Sequence, residues 1–418
     1  MQSVNVNSEI GHLKGVILHT PGLEVEKMTP ENAERALYSD ILNLSVALNE
    51  YNQFKGVLNK HCQTYEVKRL LSSLFENKQV KSDLLKQICK NEAVPELYET
   101  LFNLPDNETA LQLIEGVELI RDNLTRYLSN ERYSLRPLHN FLFTRDASIS
   151  MHNKVLIGKM ANNVREREAV IMNAIFKHHP LFKTQTINAN ENLNKQPINQ
   201  IRIEGGDVLI AKENILIIGT GIRTSTQGID FIINNIKNEK RGPHHIIVQE
   251  LPETPESFIH LDMVFTLLDR DTCMVYEPLI LSHNRYRTIH ITIDNGAVKS
   301  ISTEPNLLEA LKKAGMHLKH VLCGGNDIWH QEREQWHSGA NFFAISPGVI
   351  IGYERNIYTI DALNNEGFDV IKASDIINNN IAIPQKKAVI TIGGAELARG
   401  GGGARCMSMP VIRENIHW

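Results

Sequence analysis

The chain has 418 residues, 42% of them hydrophobic and 22% charged, enough apolar sequence for one large or two ordinary domains with a substantial core. Its 44 basic and 48 acidic side chains nearly balance, and the short KNEKR run at Lys237–Arg241 reads as a solvated helix end, so nucleic acid is not the expected partner. No window approaches the roughly 18 apolar residues of a bilayer span, the N-terminus lacks a basic and then apolar leader, and the five scattered cysteines show no CxxC spacing; the expectation is a cytoplasmic protein with no membrane partner, disulfide framework or zinc site, with a homo-oligomer left open.

In chain order, LKGVILHTPG (from Leu13) reads as a strand, NLSVALNEYNQFKGVLNK as an amphipathic helix and CQTYEVKRL as strand-like. Residues 71–132 then carry helical spacing alone, in SDLLKQICK, VPELYETLFNL and ETALQLIEGVELIRDNLTRYL, and read as a helical insertion. From Asp146 one order of elements recurs: strand, tight turn, strand, helix, strand. Its copies are SISMHNKVLIG with NVREREAVIMNAIFKHH and KTQTIN; DVLIAKENILIIG with STQGIDFIINNIKNEK and HHIIVQEL; MVFTLLDRDTCMVYEP with EPNLLEALKKAG and KHVLCGG; and NFFAISPGVIIGYER with IYTIDALNNEG and FDVIKASD. The repeat is one of pattern rather than of letters. A fifth copy forms only if the C-terminal RCMSMPVI pairs with the N-terminal strand, closing a propeller without free edges.

Polar residues precede the first strand of each copy: Arg145-Asp146, Glu204 to Asp207, His260 with Asp262, WHSGANFF around His337, and Cys406 in the closing copy. About a pseudo-fivefold axis they would share one mouth. A lone Asp before a strand is more often a cap, and a lone Cys more often a buried hydrophobe; coincidence of phase is what favours chemistry. HQEREQWH lacks HExxH spacing, and no GxxxxGK[ST] follows the glycine run Gly400–Gly403, so neither a metal nor a phosphate loop is expected.

SEIGHLKGVILHTPGLE, NFLFTRD, VRERE, IEGGDV, HLD, PGVIIGYERN and GGGGARCMSMP follow one another in an order that resembles the arginine deiminase family of the guanidine-modifying penteins. The resemblance implies an α/β fold, a five-module ββαβ propeller over residues 1–70 and 133–418 with residues 71–132 inserted, and hydrolysis of L-arginine to L-citrulline and ammonia without cofactor or metal. It implies Cys406 as nucleophile, His260 as acid and base, Glu204 as its partner, and Asp146 and Asp262 as guanidinium ligands. It also brings Arg165 and Arg223 to the substrate carboxylate, with Asn140 and Phe143 nearby and Asp207 at the guanidinium end. Arg399 and Arg405 flank the loop Gly400, Gly401, Gly402 and Gly403 and are expected to gate it. His139 and Ala147 stand where the family commonly has proline, and Arg405 where many relatives have histidine. Amidino transfer to an amine, action on another guanidino compound and non-catalytic arginine binding are the alternatives.

Overall fold

A computed structural model describes residues 2–30, 40–191, 200–237 and 244–418; all but the first residue of the KNEKR run lies outside them. Five sheets share one pairing rule, in which an antiparallel pair is followed by a parallel strand on the side of its second member. Ser148–Met151 pairs with Lys154–Ile157 and then Gln185–Ile187; Val208–Lys212 with Ile215–Thr220 and then His244–Glu250. Phe265–Leu267 pairs with Thr272–Val275 and then Lys319–Leu322. Phe343–Ser346 pairs with Val349–Tyr353 and then Ala388–Ile392. Both ends of the chain build the fifth, where Met409–Arg413 lies against Leu13–Leu18, which is parallel to Gln63–Glu66. A parallel return needs a crossover, and helices such as Leu44–His61 and Glu166–His178 supply it.

Local chemistry explains these helices. Asn43 caps Leu44–His61 by accepting from the amide of Val46, Lys60 and His61 complement its C-terminal dipole, and its apolar stripe buries Tyr51, Phe54, Val57 and Leu58. Full burial of Phe54 alone contributes roughly 1.5–3 kcal/mol. Glu166–His178 likewise has Glu166 and Glu168 in its first turn and Lys177 and His178 in its last.

Two expectations change. FDVIKASD does not lie beside Val349–Tyr353: Ala388–Ile392 takes that place and Asp369–Lys372 pairs outside it. Every residue of Ala388–Ile392 is buried whereas the outer strand is largely exposed, so the apolar strand occupies the sheet interior. The hairpin Thr288–Asp294 and Ala297–Glu304 was not anticipated, and it extends the sheet of Val208–Lys212 through pairing with His244–Glu250.

The helical region opens at Val67 and runs through Val67–Leu74, Lys78–Asn91, Leu97–Asn103 and Asp106–Glu115. Its Leu71, Leu85, Ile88 and Leu113 share one apolar cluster with Val170, Ile171 and Ala174 of the helix Glu166–His178. No helix among the described residues is long and apolar enough to cross a membrane.

Candidate active site

The segment before each sheet's first strand turns inward, and five such segments meet. A cavity of about 260 Å³ is lined by Asn140, Phe143, Asp146, Arg165, Arg223, His260, Arg399, Gly400, Gly401, Gly402 and Cys406, with Asp40, Trp336 and His337 also in its wall. Glu204, Asp207, Asp262, Gly403 and Arg405 stand behind that lining, all buried.

His260 is held from one side by Glu204, whose Oε2 lies 2.9 Å from Nε2, while its Nδ1 is 3.7 Å from Asp146 Oδ1. Burial opposes a charge here, but Asp146, Glu204 and Asp207 outweigh it and raise the imidazole to about 9. The ring is therefore an imidazolium near neutrality. Glu204 is fully buried; it nevertheless stays ionised, well below the usual carboxylate range, because His260, Arg223 and Arg165 surround it. Its Oε1 also accepts from the amide of Ala161 at 3.0 Å. Asp207 accepts from the amide of Leu261 at 2.9 Å, and burial pushes its carboxyl up to about 7.

The Cys406 sulfur lies 3.7 and 3.9 Å from the two oxygens of Asp262. Burial, and then the charges of Asp262 and Asp146, raise this thiol well above its ordinary value. A cation entering the cavity would reverse that balance. Asp262 is itself tied to Arg405, whose Nη1 donates at 2.7 Å.

Asn341 was missed by sequence reasoning. Its Nδ2 donates to Cys406 Sγ at 3.2 Å and to the carbonyl of Asp262 at 3.1 Å, and its Oδ1 accepts from the amides of Arg405 (2.9 Å) and Cys406 (3.3 Å). It precedes the strand Phe343–Ser346 at the phase that His337 was expected to fill. The signal was the position, one residue ahead of FFAIS, rather than the residue type. His337 instead reaches back to the carbonyl of Arg333.

The arginines are placed by their ion pairs. Arg165 is buried at the cavity; it donates from Nη1 to Asp146 at 2.8 Å and from Nη2 to Glu168 at 2.8 Å. Arg223 lies 3.5 Å from Glu204 through Nη1, which has no hydrogen-bond partner among the described residues. Arg399 pairs with Asp40 and Glu396 at the mouth. Arg405, expected as a second gating cation, is 1% exposed and bonds Glu9 (2.9 and 3.2 Å), Asp262 and the carbonyl of Val208; this fixes it under the loop, where a swinging cation would leave two carboxylates buried unpaired.

The loop is shaped by close approach. Gly401 has φ +79°, in the left-handed region, and a Cβ on Gly403 would meet Asn341 Cβ at 2.7 Å. Asp146, Glu204 and His260 bring ligand atoms within 4.8 Å of one another. Those atoms already face each other and the guanidinium of Arg165, so the cluster is satisfied by ion pairing.

The fold is similar to that of SxtG, an amidinotransferase from Microseira wollei (TM-score 0.55, 14% identity, 99% of this chain and 98% of that one). It is also similar to the N-terminal domain of ArgZ, an arginine dihydrolase from the cyanobacterial ornithine-ammonia cycle (TM-score 0.52, 12% identity, 96% and 98%). These neighbours set the class of fold, a mixed α/β one.

The arginine deiminase family model matches residues 34–413. Arginine deiminase of Borrelia recurrentis is 32% identical over 439 residues, covering 100% of this chain and 99% of that protein. That of Bacillus cereus is 31% identical over 444 residues, covering 99% of each. The chain belongs to the arginine deiminase family.

Proposed function

We propose that this protein hydrolyses the guanidinium of L-arginine to L-citrulline and ammonia. The observation that carries the reading is the convergence of Cys406, His260, Glu204, Asp146 and Asp262 on one cavity in a chain aligned with arginine deiminases end to end. The five sheets are read as propeller blades about a pseudo-fivefold axis, with residues 71–132 as an inserted bundle.

Asp146 and Asp262 hold the planar guanidinium through charge-assisted bonds, and its positive charge favours the Cys406 thiolate, whose proton passes to solvent at the mouth of the cavity. Arg165 gives up Asp146 to the substrate and, with Arg223, turns its donors to the α-carboxylate. Asn140 and Phe143 border that end of the cavity. Thiolate attack on the guanidinium carbon forms a tetrahedral adduct. The His260 imidazolium protonates one nitrogen, which leaves as ammonia, and an amidino-cysteine remains. Neutral His260 then takes a proton from water, whose oxygen attacks the same carbon. Collapse passes the hydroxyl proton to the departing Cys406 sulfur, which restores the thiol, and releases citrulline. Glu204 keeps the imidazole ring oriented and favours its charged form. Asn341 acts through Cys406, as a positioning residue.

The test is incubation of purified protein with arginine, reading citrulline and ammonia in equal amounts, together with intact mass of a Glu204→Gln variant to find the adduct. An adduct on another cysteine, or a new guanidino product only when an amine is added, overturns the hydrolase reading.

A further inference from the structure

A second cavity lies apart from the one above. It encloses about 580 Å³ between the helix Lys78–Asn91 and the start of the helix Glu166–His178, the turn that also carries Arg165 into the candidate active site. No side chain caps the N-terminus of that second helix.

Arg167 lines this cavity and has no part in the proposed reaction. It is 4% exposed, and its Nη2 donates to the carbonyl of Arg136. Among the described residues Nε and Nη1 have no hydrogen-bond acceptor, although Glu92 lies 3.4 Å from Nη1. A buried guanidinium with idle donors is an incomplete arrangement, since desolvated donors gain most from an ionised acceptor. The remaining charges in the wall are Arg136, Lys159 and Glu166, the last two paired at 3.2 Å. Arg136 is in turn paired with Glu131 at 2.8 Å, so what a ligand would satisfy here is the pair of idle donors on Arg167 rather than a surplus of charge.

We propose that this cavity is a binding site for a small carboxylate-bearing anion, whose carboxylate accepts from Arg167 and takes the place that Glu92 fills only by proximity. The volume is in the range of small-molecule sites. The site is separate from the arginine pocket and stands whether or not the hydrolase reading does.

Calorimetric titration of the full chain with succinate tests it. Saturable binding at one site is expected, with affinity at least about tenfold lower in Arg167→Gln, because a charged hydrogen-bond donor is lost. Removing the competing carboxylate in Glu92→Gln should tighten binding several-fold, an effect that misfolding cannot imitate. Arg223→Gln should leave the affinity unchanged. Absence of saturable binding, Glu92→Gln binding no tighter than wild type, or loss of binding in Arg223→Gln, which would put the anion in the arginine pocket, each overturns the proposal.

Discussion

At Cys406 and His260 one member of the site departs from a resting thiolate–imidazolium pair. The thiol is held protonated by burial and by two carboxylates, while the imidazole is held charged by three. Nucleophile activation then falls to the substrate's own charge, which makes a neutral guanidine isostere a poor ligand for chemistry. Cys406→Ala should lower citrulline formation at least about a thousandfold with the fold retained, as circular dichroism would check. His260 also makes a stability statement. Its folded pKa, about 9, is above the ordinary 6.5, so its contribution is full below 6.5 and is lost as pH rises through 9. The difference in melting temperature between wild type and His260→Asn should therefore shrink over that window. Substrate choice belongs to the arginines: if Arg223 grips the α-carboxylate, arginine should be preferred over agmatine by up to about 10⁴-fold in kcat/KM, and Arg223→Ala should narrow that ratio. An unchanged ratio would place the carboxylate elsewhere.

On the scale of an element, the glycine loop separates backbone conformation from packing. At Gly401 nothing lies within 4 Å of an added Cβ, so only the left-handed φ resists substitution. Gly401→Ala should cost about 1–2 kcal/mol of stability with turnover nearly intact. At Gly403 the obstacle is Asn341, the side chain that holds the Cys406 sulfur and amide. Gly403→Ala and Asn341→Ala should both lower kcat more than they raise KM, each by about ten- to a hundredfold if misplacing the sulfur by an ångström carries its usual penalty. Equal losses in both glycine variants would mean that loop mobility, rather than this contact, is what the glycines supply. Tyr353 also ties the loop, donating its hydroxyl to the carbonyl of Gly402 at 2.9 Å, so the stretch is anchored at its centre.

Across the whole molecule Arg405 is the joint. Its guanidinium connects Glu9 near one end of the chain, Val208 in one sheet, Asp262 in the turn ahead of another, and the segment that delivers Cys406. Arg405→Met removes one partner of buried carboxylates and should destabilise by about 3–5 kcal/mol. Arg405 and its neighbours hold Glu9 down at about 2 against the opposing effect of burial. A depressed carboxyl contributes above its ordinary 4.5 and loses that contribution as pH falls through 2. The gap in unfolding free energy between wild type and Arg405→Met should thus be widest at pH 5 and above, and close as acid approaches pH 2 in denaturant titrations. A gap independent of pH would assign the loss to packing alone.

Much of this architecture was legible in the residues themselves. Period-two apolar runs and 3.6-spaced helices mark local hydrophobic faces, and a face must be buried wherever it occurs; hence the recurring order of elements and the pairing of RCMSMPVI with LKGVILHTPG followed from patterning. Motif order carried the family, and it singled out Cys406, His260 and Glu204, chemically distinctive types that the structure brings to one cavity, as the residues proposed to react. What only tertiary structure decided depends on partners remote in sequence. Asn341 is an unremarkable amide until Cys406, 65 residues away, is placed against it. Arg405 reads as a loop cation until Glu9, 396 residues away, buries it, and FDVIKASD reads as an inner strand until the more apolar Ala388–Ile392 takes the position. Burial and pairing are properties of the environment, and a side chain's own identity does not contain them.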